Sequence, residues 1–179
     1  MSIRIASHLI MLLSVTFTAN ASSSNNWDTF SDIGVYGLVG AALSIPAYKD
    51  DWEGFRQAGY SIATASGVGL LGKSLIEEER PDNSGSDSFP SNHSANAFAA
   101  ATTLNRRYGW KFGVPAYGIA SLVGIGRVQA EKHYWKDVLA GAVIGSLAGW
   151  AFTEPYNDII QITSWGGTKN TNLTISINW

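Results

Sequence analysis

The chain contains no cysteine, so disulfides, thiolate metal sites and a cysteine nucleophile are all excluded. Basic excess is missing too. The formal net charge is −2, whereas a nucleic-acid partner needs a basic face to neutralise its phosphates. Any phosphate this chain handles must therefore be met locally, by a few placed cations. Long apolar runs are also lacking. Four weakly charged stretches, Ile33–Tyr48, Gln57–Gly72, Phe112–Gly126 and Val138–Thr153, are each about 15 residues long, short of the roughly 20 that cross a bilayer. There are no internal repeats, heptads or low-complexity tracts. Histidine is scarce: His8, His93 and His133 are the full set.

What is present begins with a leader. Met1–Phe17 carries one positive charge, Arg4, and the apolar run HLIMLLSVTF, and Ala19-Asn20-Ala21 follows. That is the layout of a secretory signal cleaved after Ala21. The expected organisation is a signal peptide over 1–21, one domain over 22–158, and a C-terminal extension over 159–179. An exported, disulfide-free chain points to a bacterial envelope, in the periplasm of a Gram-negative organism. Removal of the leader leaves His93 and His133 as the histidines of the mature chain.

The four weakly charged stretches are rich in Gly and Ala, which lets helices approach closely in a membrane bundle or in a tight soluble one. Their apolar residues show no clear period, so they read as buried helices or short spans. The expected fold is all-α, a helical bundle in the periplasm close to a membrane. Ser22–Asp32 is polar and reads as a loose leader. A first helix is expected from Gly34 to about Ser44, ending near Pro46. A second starts near Asp51, a suitable helix N-terminus, and runs through Lys73 towards Glu79 until Pro81 stops it. Asp82–Phe89 reads as a surface loop. Further helices are expected over Ser91–Arg107, over Val114–Val128 with Pro115 in its first turn, and from about His133 to Phe152. At the end of the chain IIQITSW and NLTISINW flank a polar linker, and the second alternates apolar and polar residues. A short β-hairpin or appended strand is expected there.

The candidate site residues each admit a bland reading. His133 and Asp137 stand four apart at the start of a predicted helix, so their side chains share a face. The carboxylate could fix one imidazole nitrogen and leave the other as nucleophile or base; an ordinary surface pair beside Lys132 and Lys136 is the alternative. Arg127 could bond the last carbonyls of its own helix or clamp an oxyanion. Lys73 and Arg80 are seven apart, on one face if the helix persists, and could instead pair with Glu77, Glu78 and Glu79. Ser91 or Asn92 can cap the following helix, whose first N–H groups make an anion site. His93 lies beside those donors.

Together these residues form a pattern: Lys73-x6-Arg80-Pro81, then Pro90-Ser91-Asn92-His93, then Arg127-x5-His133-x3-Asp137. It resembles the three-part motif of the type 2 phosphatidic acid phosphatase (PAP2) superfamily, which includes bacterial class A acid phosphatases and vanadium haloperoxidases. The resemblance covers roughly Tyr60 to Pro155. It implies a helical bundle and hydrolysis of phosphate esters through a phosphohistidine, with no metal or other cofactor. His133 would be the nucleophile, Asp137 its orienting partner and His93 the general acid. Lys73, Arg80 and Arg127 would hold the phosphoryl oxygens, helped by Ser91 and the Asn92 amide. The substrate expected is a lipid phosphate or diphosphate, such as phosphatidate, undecaprenyl diphosphate or a lipid A phosphate. A soluble broad-specificity acid phosphatase and a non-catalytic phosphate-binding module are the alternatives, and the oligomeric state stays open. Three departures stand out: Asn92 replaces the usual glycine, Gly126 replaces the usual serine before Arg127, and the Pro81–Pro90 loop is short. If position 92 requires φ > 0, asparagine is the least costly replacement.

Overall fold

The computed structural model describes residues 24–156, 161–165 and 172–176; the expected signal peptide lies outside them. Five helices follow one another: α1 Ser24–Tyr48, α2 Trp52–Leu75, α3 Asn92–Tyr108, α4 Trp110–Gln129 and α5 Trp135–Phe152. Strands β1 (Gln161–Trp165) and β2 (Asn172–Ser176) pair antiparallel, with Gln161 opposite Ser176 and Trp165 opposite Asn172. The all-α bundle and its C-terminal hairpin are as expected.

Helix α3 is the centre, packed against each of the other four. Its composition explains the position. Ala95, Ala97, Ala99, Ala100, Ala101, Thr102, Thr103 and Leu104 are all buried, so small side chains on every face let neighbours close in. On α5 the glycines at 141, 145 and 149 form the matching stripe. A Cβ on Gly141 would sit 2.3 Å from the Ser91 carbonyl, and one on Gly145 2.0 Å from the Ala95 carbonyl. Filling that seam would force the helices apart, at a cost of about 1–3 kcal/mol per site. The seam fixes the start of α5 beside the start of α3, where the Ser91 amide donates to the Asp137 carbonyl at 3.0 Å. On α2, a Cβ on Gly72 would lie 2.5 Å from Pro90 Cδ, which seats the end of α2, and Lys73 with it, over the same point.

The core is rich in alanine, with a few valines and leucines, while many large apolar residues face outward. Ile33, Tyr36, Leu70, Leu71, Val114, Leu122, Leu139, Val143 and Leu147 are exposed.

Several boundaries differ from expectation. Helix α1 begins ten residues before Gly34, because the polar segment Ser24–Asp32 turns Ser31 into the bundle, fully buried. Pro46 lies inside α1 rather than ending it, and removes one backbone donor near the last turn. Helix α2 stops at Leu75, well before Pro81; Asp51 caps its start by accepting the Gly54 N–H at 2.9 Å. Pro115 sits beyond the first turn of α4. The helices are 17 to 25 residues long, longer than the apolar stretches inside them, because their polar ends are helical too.

Candidate active site

The site is assembled at one end of the bundle from the end of α2, the loop 76–91, the start of α3, and the turn joining α4 to α5. Ser91 is the N-cap of α3: its hydroxyl oxygen accepts the Ser94 N–H at 3.4 Å and the Ser94 hydroxyl at 3.1 Å. Asn92 opens the helix. It is not among the residues with positive φ, so the condition under which asparagine would be chosen for its left-handed tolerance is not met. Asparagine fits because its side chain points at Gly69 of α2, where a Cβ would lie 1.9 Å from Asn92 Oδ1.

After α4 the chain folds back on itself, with Glu131 at φ 56° and the His133 amide donating to the Arg127 carbonyl at 3.3 Å. His133 thus precedes α5 rather than starting it, and Asp137 occupies the third helical position. Asp137 Oδ2 accepts the Tyr134 N–H at 2.9 Å, capping its own helix, and the Ser88 hydroxyl at 2.6 Å. His133 Nδ1 stands 3.6 Å from that oxygen, close enough for charge but beyond a hydrogen bond. The pair is therefore buried, with His133 in the turn and Asp137 in the first turn of α5, not a surface pair on one helical face; His133 is 2% exposed and Asp137 0%. Burial first, then the charges of Arg127, Lys73 and Arg80, push His133 down to about 3, against the pull of the Ser88 carbonyl. His133 is neutral across the physiological range, with a lone pair to offer.

The cations have partners the sequence analysis did not name. Because α2 ends early, Arg80 comes from the loop rather than from a shared helical face with Lys73. Both meet at Asp87. Arg80 Nε and Nη2 bond its two oxygens at 2.9 and 3.0 Å, and Lys73 donates to its carbonyl. Arg80 holds Asp87 below the usual carboxylate range. Glu78 pairs instead with Lys136 at 2.5 Å, and Asp82 with Lys132 at 2.6 Å. These ties strap the loop to the α4–α5 turn. Arg127, 4% exposed, turns away from its own helix and donates to Asp28 and, at 3.3 Å, to the Ser31 hydroxyl of α1. His93 Nε2 lies 2.7 Å from Asp32 Oδ1. Arg127 is the common neighbour, with its charge acting on both histidines.

Lys73, Arg80, Ser91, Asn92, His93, Arg127, His133 and Asp137 thus gather at one end of the fold, though the Asn92 side chain faces α2 instead of joining the cations. Asp28, Ser31, Asp32, Asp87 and Ser88 were missed. Two faint signals existed: Asp28 and Asp32 share a helical face at i,i+4, and SDS stands directly before Phe89-Pro90. Among the described residues no three His, Asp or Glu side chains converge as metal ligands. Every buried side-chain polar atom lacking a hydrogen-bond partner among those residues lies here: Asn92 Oδ1, Arg127 Nε, His133 Nδ1 and Asp137 Oδ1.

Comparison with known proteins bears on the family and the fold. The sequence model described as PAP2 superfamily matches residues 54–160. A lipid A 1-phosphatase of Porphyromonas gingivalis is 38% identical over 91 residues, 49% of this chain and 20% of that protein. The chain thus spans about a fifth of that relative's length. The crystal structure of Aquifex aeolicus LpxE superposes with a TM-score of 0.61 at 22% identity, covering 72% of this chain and 83% of that one. A transmembrane PAP2-type phosphatidylglycerolphosphate phosphatase of Bacillus subtilis gives 0.53 at 26% identity, over 72% and 74%.

Proposed function

The chain belongs to the PAP2 superfamily, and from that membership we propose that it is a phosphatase hydrolysing a lipid phosphate or diphosphate through a phosphohistidine on His133. The observation that carries the proposal is the concentration of unspent hydrogen-bonding capacity. Native folds leave few buried polar atoms unpaired, and here all four such described atoms belong to motif residues, three of them on Arg127, His133 and Asp137.

In the proposed reaction the free imidazole nitrogen of neutral His133 attacks phosphorus, and the bond from phosphorus to the leaving oxygen breaks. His93 gives that oxygen a proton. Water then attacks the phosphohistidine, yielding its proton to His93, and inorganic phosphate leaves with His133 restored. Lys73, Arg80 and Arg127 neutralise the equatorial oxygens, which is the main demand of phosphoryl transfer. Each cation already holds a carboxylate or carbonyl oxygen, so the phosphoryl oxygens replace acceptors already in place. The Asn92 N–H is one of the first helical donors without an intrahelical partner. The Ser91 hydroxyl accepts two bonds in the cap and keeps its own proton to donate. Asp137 holds the turn and offers its charge to His133.

A lipid substrate is favoured by the surroundings of His93. A groove of about 290 Å³ beside it is lined by Val35, Tyr36, Val39 and Ile62, with Asn92 and Asn96. The apolar exterior and the helix lengths fit a bundle embedded in the membrane rather than one merely close to it. Among the described residues α1 alone combines the length and mean hydropathy of a span, at 1.3 over its window. We place the site on the exported side, in the Gram-negative periplasm, because the first turns of α1, just past the expected cleavage point, lie at the site. A single cysteine at exposed Ser84, in a chain with no other, should be labelled by an impermeant maleimide in intact spheroplasts.

The deciding experiment is a substrate panel on detergent-solubilised protein. Phosphatidate, a prenyl diphosphate and lipid A should be turned over faster than p-nitrophenyl phosphate, with vanadate inhibiting and EDTA without effect. Faster turnover of the soluble ester would favour the broad-specificity phosphatase. Binding of phosphate without turnover of any substrate would leave the binding module.

A further inference from the structure

The first turns of α1 lie outside the 54–160 segment that carries the family match, and yet they complete the site. Asp28, Ser31 and Asp32 stand at i, i+3 and i+4, on one helical face. All three meet motif residues, Asp28 and Ser31 through Arg127 and Asp32 through His93. Gly126 lies against the same turns. A Cβ there would lie 3.1 Å from Ser31 Cβ and 3.3 Å from the Trp27 carbonyl, so a serine before Arg127 would ask α1 to give by a few tenths of an ångström.

We propose that Asp32 is a positioning residue for the leaving-group proton, acting through His93; this rests on the phosphatase reading above. The carboxylate oxygen 2.7 Å from Nε2 takes the Nε2–H of the imidazolium, so the proton given to the leaving oxygen comes from Nδ1. After that transfer the same bond keeps the tautomer with its lone pair on Nδ1, ready to accept a proton from the water that attacks the phosphohistidine. The charged groups facing His93 are Asp32 and Asp28 from α1 and Arg127 from α4. Burial first, and then the charge of Arg127, oppose a positive imidazole there, so the charged form requires a counter-charge. Asp32, also 3.7 Å from Arg127 Nη1, supplies it to both. Nothing in the three-part motif provides this group, which makes α1 part of the catalytic unit.

The test uses the difference between leaving groups. An aliphatic alkoxide must be protonated as it departs, whereas p-nitrophenolate leaves without help. General acid catalysis is worth about 10²–10⁴-fold where it is needed. For Asp32→Asn in the full chain, kcat/KM, which reports the steps through phosphohistidine formation, should fall about 10–100-fold on phosphatidate. On p-nitrophenyl phosphate it should stay within about 3-fold. Thermal unfolding should be unchanged, and Asp32→Glu should recover part of the phosphatidate activity. Equal loss on both substrates, or no loss on either, would overturn the proposal. Wild-type protein that binds vanadate but turns over neither substrate would sink the phosphatase reading, and the proposal with it.

Discussion

Two buried arginines, at opposite ends of the same bundle, face their carboxylates differently. Arg107, at the end of α3, has its donors spent. Nε and Nη2 bond the two oxygens of Asp51 at 2.7 and 2.5 Å, and Nη1 bonds the Glu154 and Pro155 carbonyls. Asp51 is equally engaged, accepting from Tyr108 at 2.7 Å while it caps α2. Arg127, at the end of α4, is at least as buried, yet its Nε has no partner and its carboxylates, Asp28 and Asp32, are partly exposed. The Arg107 knot ties α2, α3 and the segment after α5. The Arg127 cluster keeps capacity in hand. Burial of charge alone does not mark function; incomplete satisfaction does.

The sharpest way to break this comparison is His133→Ala. It should lower turnover by on the order of 10⁴-fold or more while leaving the fold intact, and a phosphoenzyme trapped in wild type should vanish. Next come the arginines themselves. Arg127→Ala should cost about 10²–10³ in kcat with little change in unfolding temperature, since Asp28 and Asp32 can turn to solvent. Arg107→Ala should do the reverse, losing about 3–5 kcal/mol of stability by stranding buried Asp51, with normal specific activity in the folded fraction. Equal stability losses in the two variants would erase the distinction.

Acid sharpens it further. His133 falls to about 3 in the fold against about 6.5 when free, so the unfolded chain binds a proton that the folded chain refuses. Its contribution to stability is complete above pH 6.5 and is lost as pH falls towards 3, on the order of a few kcal/mol in all. His133→Ala should flatten that part of the stability–pH curve, measured by thermal unfolding in detergent. Arg107→Ala should shift the curve down without flattening it.

The family and the fold class were more legible in the sequence than the contacts that surround the candidate site. Ser91 and Asp51 could be read as caps because capping is local, and the motif residues could be read because their spacing is a pattern. The α1 contacts span 61 and 99 residues, and no local pattern encodes them. Ser22–Asp32 looked like a loose leader because its polar residues have no apolar partner nearby; the partners of Asp28, Ser31 and Asp32 are Arg127 and His93. Asp82–Phe89 looked like a surface loop, but Ser88 is fully buried under Asp137. Periodicity failed for a physical reason as well. Helices with alanine and glycine inside and leucine and valine outside carry apolar residues all round, so no face stands out.

The mildest test concerns Asn92, where the chain departs from the glycine usual in the motif it resembles. Its Oδ1 is buried without a partner, a burden of about 1–3 kcal/mol, and its side chain lines the groove beside His93. Asn92→Gly removes that oxygen, and because position 92 has ordinary helical backbone it relieves no φ strain. Glycine at the first helical position costs roughly 0.5–1 kcal/mol in backbone freedom. The two effects nearly cancel, so stability should move by less than about 1 kcal/mol. The backbone N–H survives, so kcat should hold. The wider groove should lower KM for a bulky lipid phosphate by a few-fold, on the order of 1 kcal/mol or less, and leave p-nitrophenyl phosphate unaffected. A drop in kcat on both substrates would instead assign the Asn92 side chain to the reacting phosphate, and the contrast with the fully satisfied far end would then have one more residue in it.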